Sequence, residues 1–410
     1  MTWSIFLNRY QHIKSNIFIS AAIIALLQFT HALEYMMVGP LFKYISDDLG
    51  LPIGAAGYVT GAYTAASVVS GIVSFLFIDR LDKKRTLTIN LALLAIITAI
   101  TPFSPGLSTL LILRILAGLV GGITLGIGLA LLLNRAPPEI RGRIIAIVVG
   151  AFSAVSLLGL PLSLYLAEHL SWHAPFWLIA AICVICLPLV SYCLPEETAE
   201  KITRPAAQSL SMSPAVLLAS VANAVSNFAP FVIIPILVPI LINLTQIPSD
   251  QIPLAFFVGG LSSYIGTHLA GRLADKWGAL WTGSAASLLY CLTLVLLALN
   301  MINGYWFMIL FMFSTYMRIV SSSVMSSYFP DNAHRAGFNL LQTAQTNLAA
   351  TVAFFIPAAL LGNNDVSSAS ISTILHLAII AGALLPLYLW ILSRILKRRA
   401  ISQVAKITSP

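Results

Sequence analysis

The chain alternates long apolar runs with short polar loops about twelve times over. The runs lie at about 18–44, 58–78, 86–104, 107–134, 142–167 and 174–194, and then at 213–243, 252–272, 280–301, 304–328, 335–361 and 371–395. A helix needs ~20 predominantly apolar residues to cross a bilayer. In hydrocarbon, only a helix or a closed barrel satisfies its own backbone. Each run is therefore expected to be a transmembrane helix, and the chain an all-α membrane protein with about twelve of them. Composition agrees: 59% of the residues are hydrophobic and 9% charged, where soluble domains carry ~25% charged residues. The first run is too long for a signal peptide, and no small-residue cleavage site follows it.

The polar stretch at 195–212, beginning Pro195-Glu196-Glu197, is the one long break inside the chain. It divides the chain into an N-terminal six-helix bundle (1–194), a cytoplasmic linker (195–212) and a C-terminal six-helix bundle with a cytoplasmic tail (213–410). Loops on the side of the amino terminus carry Arg80, Lys83, Lys84, Arg85, Arg135, Arg141, Arg143, Lys201, Arg204, Arg272, Lys276 and Arg335. Loops on the other side carry only Lys43. The positive-inside rule then puts both termini in the cytoplasm of an inner membrane. It also accounts for the net charge of +8 without a nucleic-acid partner.

Several residues are charged or polar inside apolar runs. Glu34 lies within the first. An ionisable group costs at least ~2.5–3.5 kcal/mol there and usually faces a cavity with a task to perform, of which carrying a proton is the simplest. The alternative is a Glu neutralised by an Arg for purely structural reasons. At 1.5 Å per residue Glu34 lies ~24 Å from the cytoplasmic start, and Arg114 ~10 Å below the opposite surface. The two therefore fall within a helical turn of depth and could pair. His31 shares a face with Glu34 (i, i+3) and either tunes the proton or is hydrogen-bonded structure. Asn223, Ser226 and Asn227 in the seventh helix, and Asn339, Gln342 and Thr346 along one face of the eleventh, either bind substrate or hold helices together. Tyr35, Met36, Met37, Tyr63, Phe152, Phe228 and Phe256 could form an adaptable apolar wall. The four cysteines all fall in apolar runs and read as small buried residues. Cys183 and Cys186 form a C-x-x-C with no second ligand pair nearby, so no metal is expected.

The halves also repeat. Ser70-Gly71-Ile72-Val73-Ser74-Phe75-Leu76-Phe77-Ile78-Asp79-Arg80-Leu81-Asp82-Lys83-Lys84-Arg85 follows the second helix, and Gly271-Arg272-Leu273-Ala274-Asp275-Lys276-Trp277-Gly278 follows the eighth. These stretches resemble the G-x-L-a-D-r-x-G-r-k loop signature of the major facilitator superfamily. Phe75 and Asp82 stand where glycines are usual in the first copy. Arg114-Ile115-Leu116-Ala117-Gly118 is similar to the family's R-x-x-q-G. Gly150 and Gly159-Leu160-Pro161 resemble a loosened form of its antiporter signature. The stretches His31-Ala32-Leu33-Glu34-Tyr35-Met36 and Ser171-Trp172-His173-Ala174-Pro175-Phe176-Trp177 resemble the arabinose-efflux-like members of the twelve-helix drug:proton antiporter branch.

The resemblance implies the major facilitator fold, with helices one, four, seven and ten around a central cavity. Glu34, Arg114 and Arg318 fall on helices one, four and ten of that set and are expected to face the cavity, with Glu34 and His31 coupling protons; Asn223, Asn227, Asn339 and Gln342 complete the candidate substrate-cavity residues, with the helix-bonding alternative still open. A conformational gate would be formed by Asp79, Arg80, Arg135 and Arg141 in the first half and by Gly271, Asp275 and Arg335 in the second. The function expected is alternating-access secondary transport of a small organic molecule, as proton-coupled efflux by a monomer. Two cations against one acid in the cavity leave a second reading open, an importer or facilitator of a polar or anionic metabolite such as a carboxylate-type siderophore. No G-x-x-x-x-G-K-[ST] is present to bind ATP, no cofactor is implied, and nothing points to an enzyme. A channel, the rival class, would need neither a titrating acid nor a two-half repeat.

Overall fold

The computed structural model describes residues 2–77, 82–133, 140–194, 213–330, 335–361 and 368–408. Among these residues the chain is helical, and the helices are numbered here as twelve segments. Six precede the 195–212 stretch: α1 (Thr2–Leu49), α2 (Ala55–Phe77), α3 (Lys83–Ile100), α4 (Leu107–Gly121, continued by Thr124–Leu133), α5 (Arg141–Ala154, resumed at Leu160–His169) and α6 (His173–Cys193). Six follow it: α7 (Pro214–Ser220 through Leu237–Asn243), α8 (Ile252–Trp277), α9 (Ala279–Ala298), α10 (Gly304–Ser327), α11 (Arg335–Leu361) and α12 (Ser368–Thr408). Ten of the described helices are long and apolar enough to cross a membrane, and Leu107–Gly121 is a shorter apolar one.

The expected boundaries are reproduced within a few residues. The exceptions are the chain ends, where α1 begins at Thr2 and α12 runs on to Thr408. Local chemistry explains the interruptions. Pro230 and Pro235 each lack an N–H, and α7 passes through a short 3-10 turn at Ile234–Ile236. In α5, Pro161 follows a single π-helical turn, Val155–Gly159, where the Leu160 N–H reaches back to the Val155 carbonyl. Such turns absorb a missing helical donor. Between α8 and α9 the chain reverses at Gly278, whose φ of +89° suits glycine. The side chain of Asn303 caps α10 by accepting from the Trp306 N–H at 2.9 Å.

The two sets of six pack in the same pattern. In the first set, α1 lies against α5 and α6, α2 against α4, and α3 against α6. In the second, α7 lies against α11 and α12, α8 against α10, and α9 against α12. A serine pins the corresponding pair in each set. Ser67 on α2 donates to the Gly118 carbonyl of α4 at 3.1 Å, and Ser262 on α8 donates to the Ile309 carbonyl of α10 at 2.7 Å.

Between the sets, α2 packs on α11 and α5 on α8. These contacts concentrate at the end away from the basic loops. Side chains added at Gly57 and Gly61 would collide with Phe354 and Phe355, one at Gly39 would meet Ile234 and Pro235, and one at Gly260 would collide with Ser156 and Leu157. Thr351 donates to Thr64 at 2.9 Å across the same seam, and Ser156 shares a hydrogen bond with Tyr316. Nearer the basic-loop end of α2, α5 and α8, a Cβ at Gly71, Gly150 or Gly271 would meet nothing within 4 Å.

One expectation about the cysteines is corrected. Cys183 and Cys186 are buried and Cys291 half-buried, but Cys193 is exposed. It is the last residue of α6, where the helix leaves the packed bundle.

Candidate functional site

The polar centre of the first half lies where four helices meet. Glu34 on α1 and Arg114 on α4 form an ion pair, with Nη2 to Oε1 at 2.5 Å. Glu34 is 0% exposed and Arg114 1%. The same Nη2 donates weakly to Thr101 Oγ1, at 3.5 Å, at the end of α3, and the guanidinium lies 5.5 Å from the centre of the Phe176 ring on α6. Glu34 Oε2 and Arg114 Nε and Nη1 have no hydrogen-bond partner among the described residues. A buried ion pair is favourable only when its geometry is close and its other valences are filled. Here the first condition holds and the second does not, so the pair has free capacity for a proton or a substrate atom.

Glycines allow the approach. Side chains at Gly118 and Gly121 of α4 would strike the carbonyl and the ring of Tyr63 on α2. Without them, α4 seats close enough for Arg114 to reach α1. Gly159 of α5 does the same against Leu33 and Phe29 of α1. The Tyr63 ring stacks on Tyr35, with centroids 5.4 Å apart. His31 is buried near Gly121, and neither ring nitrogen has a hydrogen-bond partner among the described residues. It shares the Glu34 face as its spacing requires, without bonding to that residue.

The other expected cavity residues are distributed differently. Arg318 is fully buried and points within its own half. Its guanidinium lies 4.4 Å from the centre of the Tyr290 ring on α9, and a Cβ at Gly382 on α12 would touch that same ring. None of its three side-chain nitrogens has a hydrogen-bond partner among the described residues. A cation over an aromatic face is held by the ring's quadrupole. Arg318, expected to face the cavity, is directed toward α9 in this structure.

The amides of the second half tie helices together. Asn223 on α7 accepts from Ser323 on α10 at 3.0 Å, and Gln342 on α11 donates to Ser326 on α10 at 3.0 Å. Asn227 donates to the backbone carbonyl of Asn223 at 2.8 Å. Asn339 is exposed. Among the apolar-wall residues, Met37, Tyr63 and Phe256 are buried, while Tyr35, Met36, Phe152 and Phe228 keep partial exposure.

Of the gate residues, Asp79, Arg80 and Arg135 lie outside the described residues, as do the side chains of Arg141 and Arg335. Gly271 and Asp275 lie on the last turns of α8, where Asp275 is exposed and has no ion pair among the described residues. Thr101, Phe176, Ser156, Tyr316 and Tyr290 were not anticipated. Each acts through a partner on another helix, and only Ser156 had a sequence signal, its closeness to Gly159 and Pro161.

Comparison with known proteins bears on this arrangement. The model of the Major Facilitator Superfamily matches residues 24–219, a span that includes both Glu34 and Arg114. A chloramphenicol resistance protein of Streptomyces lividans is 26% identical over 251 residues, which are 59% of this chain and 63% of that protein, less than two thirds of its length. The purine ribonucleoside efflux pump NepI of Escherichia coli is 24% identical over 248 residues, 59% of this chain and 61% of the pump. A solved mutant of the nucleoside transporter NupG shares the fold with a TM-score of 0.72 at 14% identity, over 92% of this chain and 99% of that one. The matched span is just under half of this chain, and with the paired six-helix packing and the shared fold it makes the chain similar to transporters of the major facilitator superfamily.

Proposed function

We propose that the protein is a proton-coupled exporter of a small organic molecule, working by alternating access as a monomer in the bacterial inner membrane with both termini in the cytoplasm. The two bundles, 1–194 and 213–410, rock against each other about the 195–212 linker, and the Asp79 and Asp275 loops gate the cytoplasmic end. The observation that carries this reading is the Glu34–Arg114 pair, an ion pair without exposed surface in the first membrane span. A carboxylate so placed cannot serve Arg114, a proton and a cationic or hydrogen-bonding substrate at once. Competition of that kind links substrate release to proton entry, which is exchange. The similarity to an efflux pump and to a drug-resistance protein supports export, and the contacts at the end away from the basic loops support a cleft open toward the cytoplasm.

The rival is import of an anion, which would compete with Glu34 for Arg114. Because a guanidinium keeps its charge, an anion that captured Arg114 would free Glu34 to take up a proton, giving symport. This reading draws on two buried cations, Arg114 beside Glu34 and Arg318 over the Tyr290 ring.

The test is proton movement on binding of chloramphenicol or adenosine, and of a carboxylate such as citrate for the rival, to detergent-purified protein in weak buffer. Release supports exchange, and uptake supports the anion reading. Binding with no proton change at any pH where transport varies sinks both.

A further inference from the structure

The surface of the second half carries a groove lined by none of the site residues described above. It lies between the start of α9 and residues 386–398 of α12, with a volume of about 740 Å³. α9 contributes Trp281 and Ser284, and α12 contributes Trp390, Arg394, Lys397 and Arg398. None of the lining residues is acidic.

The groove is built by a division of labour on α12. Arg399 and Tyr388 face inward. Arg399 donates to Ser213 Oγ at 2.6 Å and lies over Phe329, and Tyr388 donates to the Leu218 carbonyl. These contacts fasten the helix to α7 and to the end of α10. Trp390, Arg394 and Arg398, one turn apart, form the outward stripe. The Arg394 guanidinium lies 4.7 Å from the centre of the Trp390 ring. Trp281 is 71% and Trp390 46% exposed, and all three cations are exposed. No acid pairs with those cations among the described residues.

The position in the membrane matches this chemistry. The last apolar run of the sequence ends near 395, and Arg394, Lys397, Arg398 and Arg399 cluster at its close, so the groove sits where hydrocarbon gives way to water, at the end that carries the basic loops. Tryptophan rings favour that level. Lys and Arg extend their charged ends out of the hydrocarbon there. Basic pockets between helices at this depth suit anionic lipid headgroups.

We propose that this groove is a binding site for an anionic phospholipid, with the phosphate held by Arg394, Lys397 and Arg398 and the upper acyl chains lying along Trp281 and Trp390. It depends on the chain spanning a membrane and not on the direction or coupling of transport.

The experiment reads tryptophan fluorescence of the full chain in neutral detergent during titration with phosphatidylglycerol brominated high on its acyl chains. Brominated phosphatidylcholine and inorganic phosphate serve as comparisons. Wild type is expected to be quenched by phosphatidylglycerol at a concentration at least tenfold lower than by phosphatidylcholine, and millimolar phosphate should not reverse the effect. Trp281→Phe with Trp390→Phe should remove the selective component. Arg394→Gln with Lys397→Gln and Arg398→Gln should weaken it on the order of a hundredfold, as expected for three basic side chains near a lipid surface. If the triple variant does not elute as a folded monodisperse species, Arg394→Gln alone should weaken it about fivefold. Equal quenching by both lipids, or unchanged selectivity in the variants, overturns the proposal. Displacement by inorganic phosphate also overturns it, by making the groove a site for free anions.

Discussion

Arg114 and Glu34 meet at 2.5 Å with almost no exposed surface on either residue, although they lie on different helices. Removing one member of such a pair strands the other. Glu34→Ala is expected to cost about 3–5 kcal/mol, while Glu34→Leu combined with Arg114→Leu should recover most of it. Glu34→Gln keeps a polar partner for Arg114. It should fold and exchange substrate but lose proton-driven transport. Thermal unfolding in detergent and pH-jump flux in proteoliposomes measure the two halves of this prediction. Normal proton-driven flux in Glu34→Gln would remove the acid from the mechanism.

The buried Arg318 guanidinium lies against the ring of Tyr290 and makes no hydrogen bond among the described residues. Tyr290→Leu leaves the cation unsupported and should destabilise by about 2 kcal/mol beyond the lost packing. Arg318→Met removes an unpaired buried charge while keeping much of the volume, so it should leave the unfolding temperature unchanged or raise it. A large loss of stability in Arg318→Met would mean that an acid or anion partners this residue.

The seam at Gly260 admits no side chain, because Ser156 and Leu157 already occupy the space. Gly260→Leu should therefore push α8 from α5 and bias the protein toward opening at the end away from the basic loops. Gly271→Leu, with open space around it, should not. Alkylation of a cysteine placed at Tyr35 is expected to rise several-fold from that side in the first variant only. Equal rates in both would show that the seam is not a barrier.

Asp275 ends α8 exposed and at the basic-loop end. If its charge favours one conformation, Asp275→Asn should slow transport and shift cysteine accessibility toward one side, with substrate affinity changing little, because a shift requires unequal stabilisation of two states. Wild-type accessibility on both faces would reduce the loop to a topological anchor.

The legible and illegible parts of this protein divide along a physical line. A helix that crosses hydrocarbon must satisfy its own backbone and cover it with apolar side chains, so the number of helices, their bounds and the two-half repeat are all local properties of the chain. Depth is local too, because rise per residue is constant. That is why Glu34 and Arg114 could be expected at one level before their contact was seen. Rotation about the helix axis is different. Whether Arg318 faces a cleft or Tyr290 depends on how α9, α10 and α12 pack. Whether Asn223 and Gln342 meet substrate or serines of α10 depends on the same packing. The lipid-facing stripe of α12 could be spaced from sequence, but its groove exists only because Arg399 and Tyr388 bind the opposite face of that helix to its neighbours. The sequence by itself determined the helices, their order and their buried charges. The tertiary structure alone decided which of those charges meet, because a side chain's partner on another helix is set by interhelical packing that no local pattern encodes.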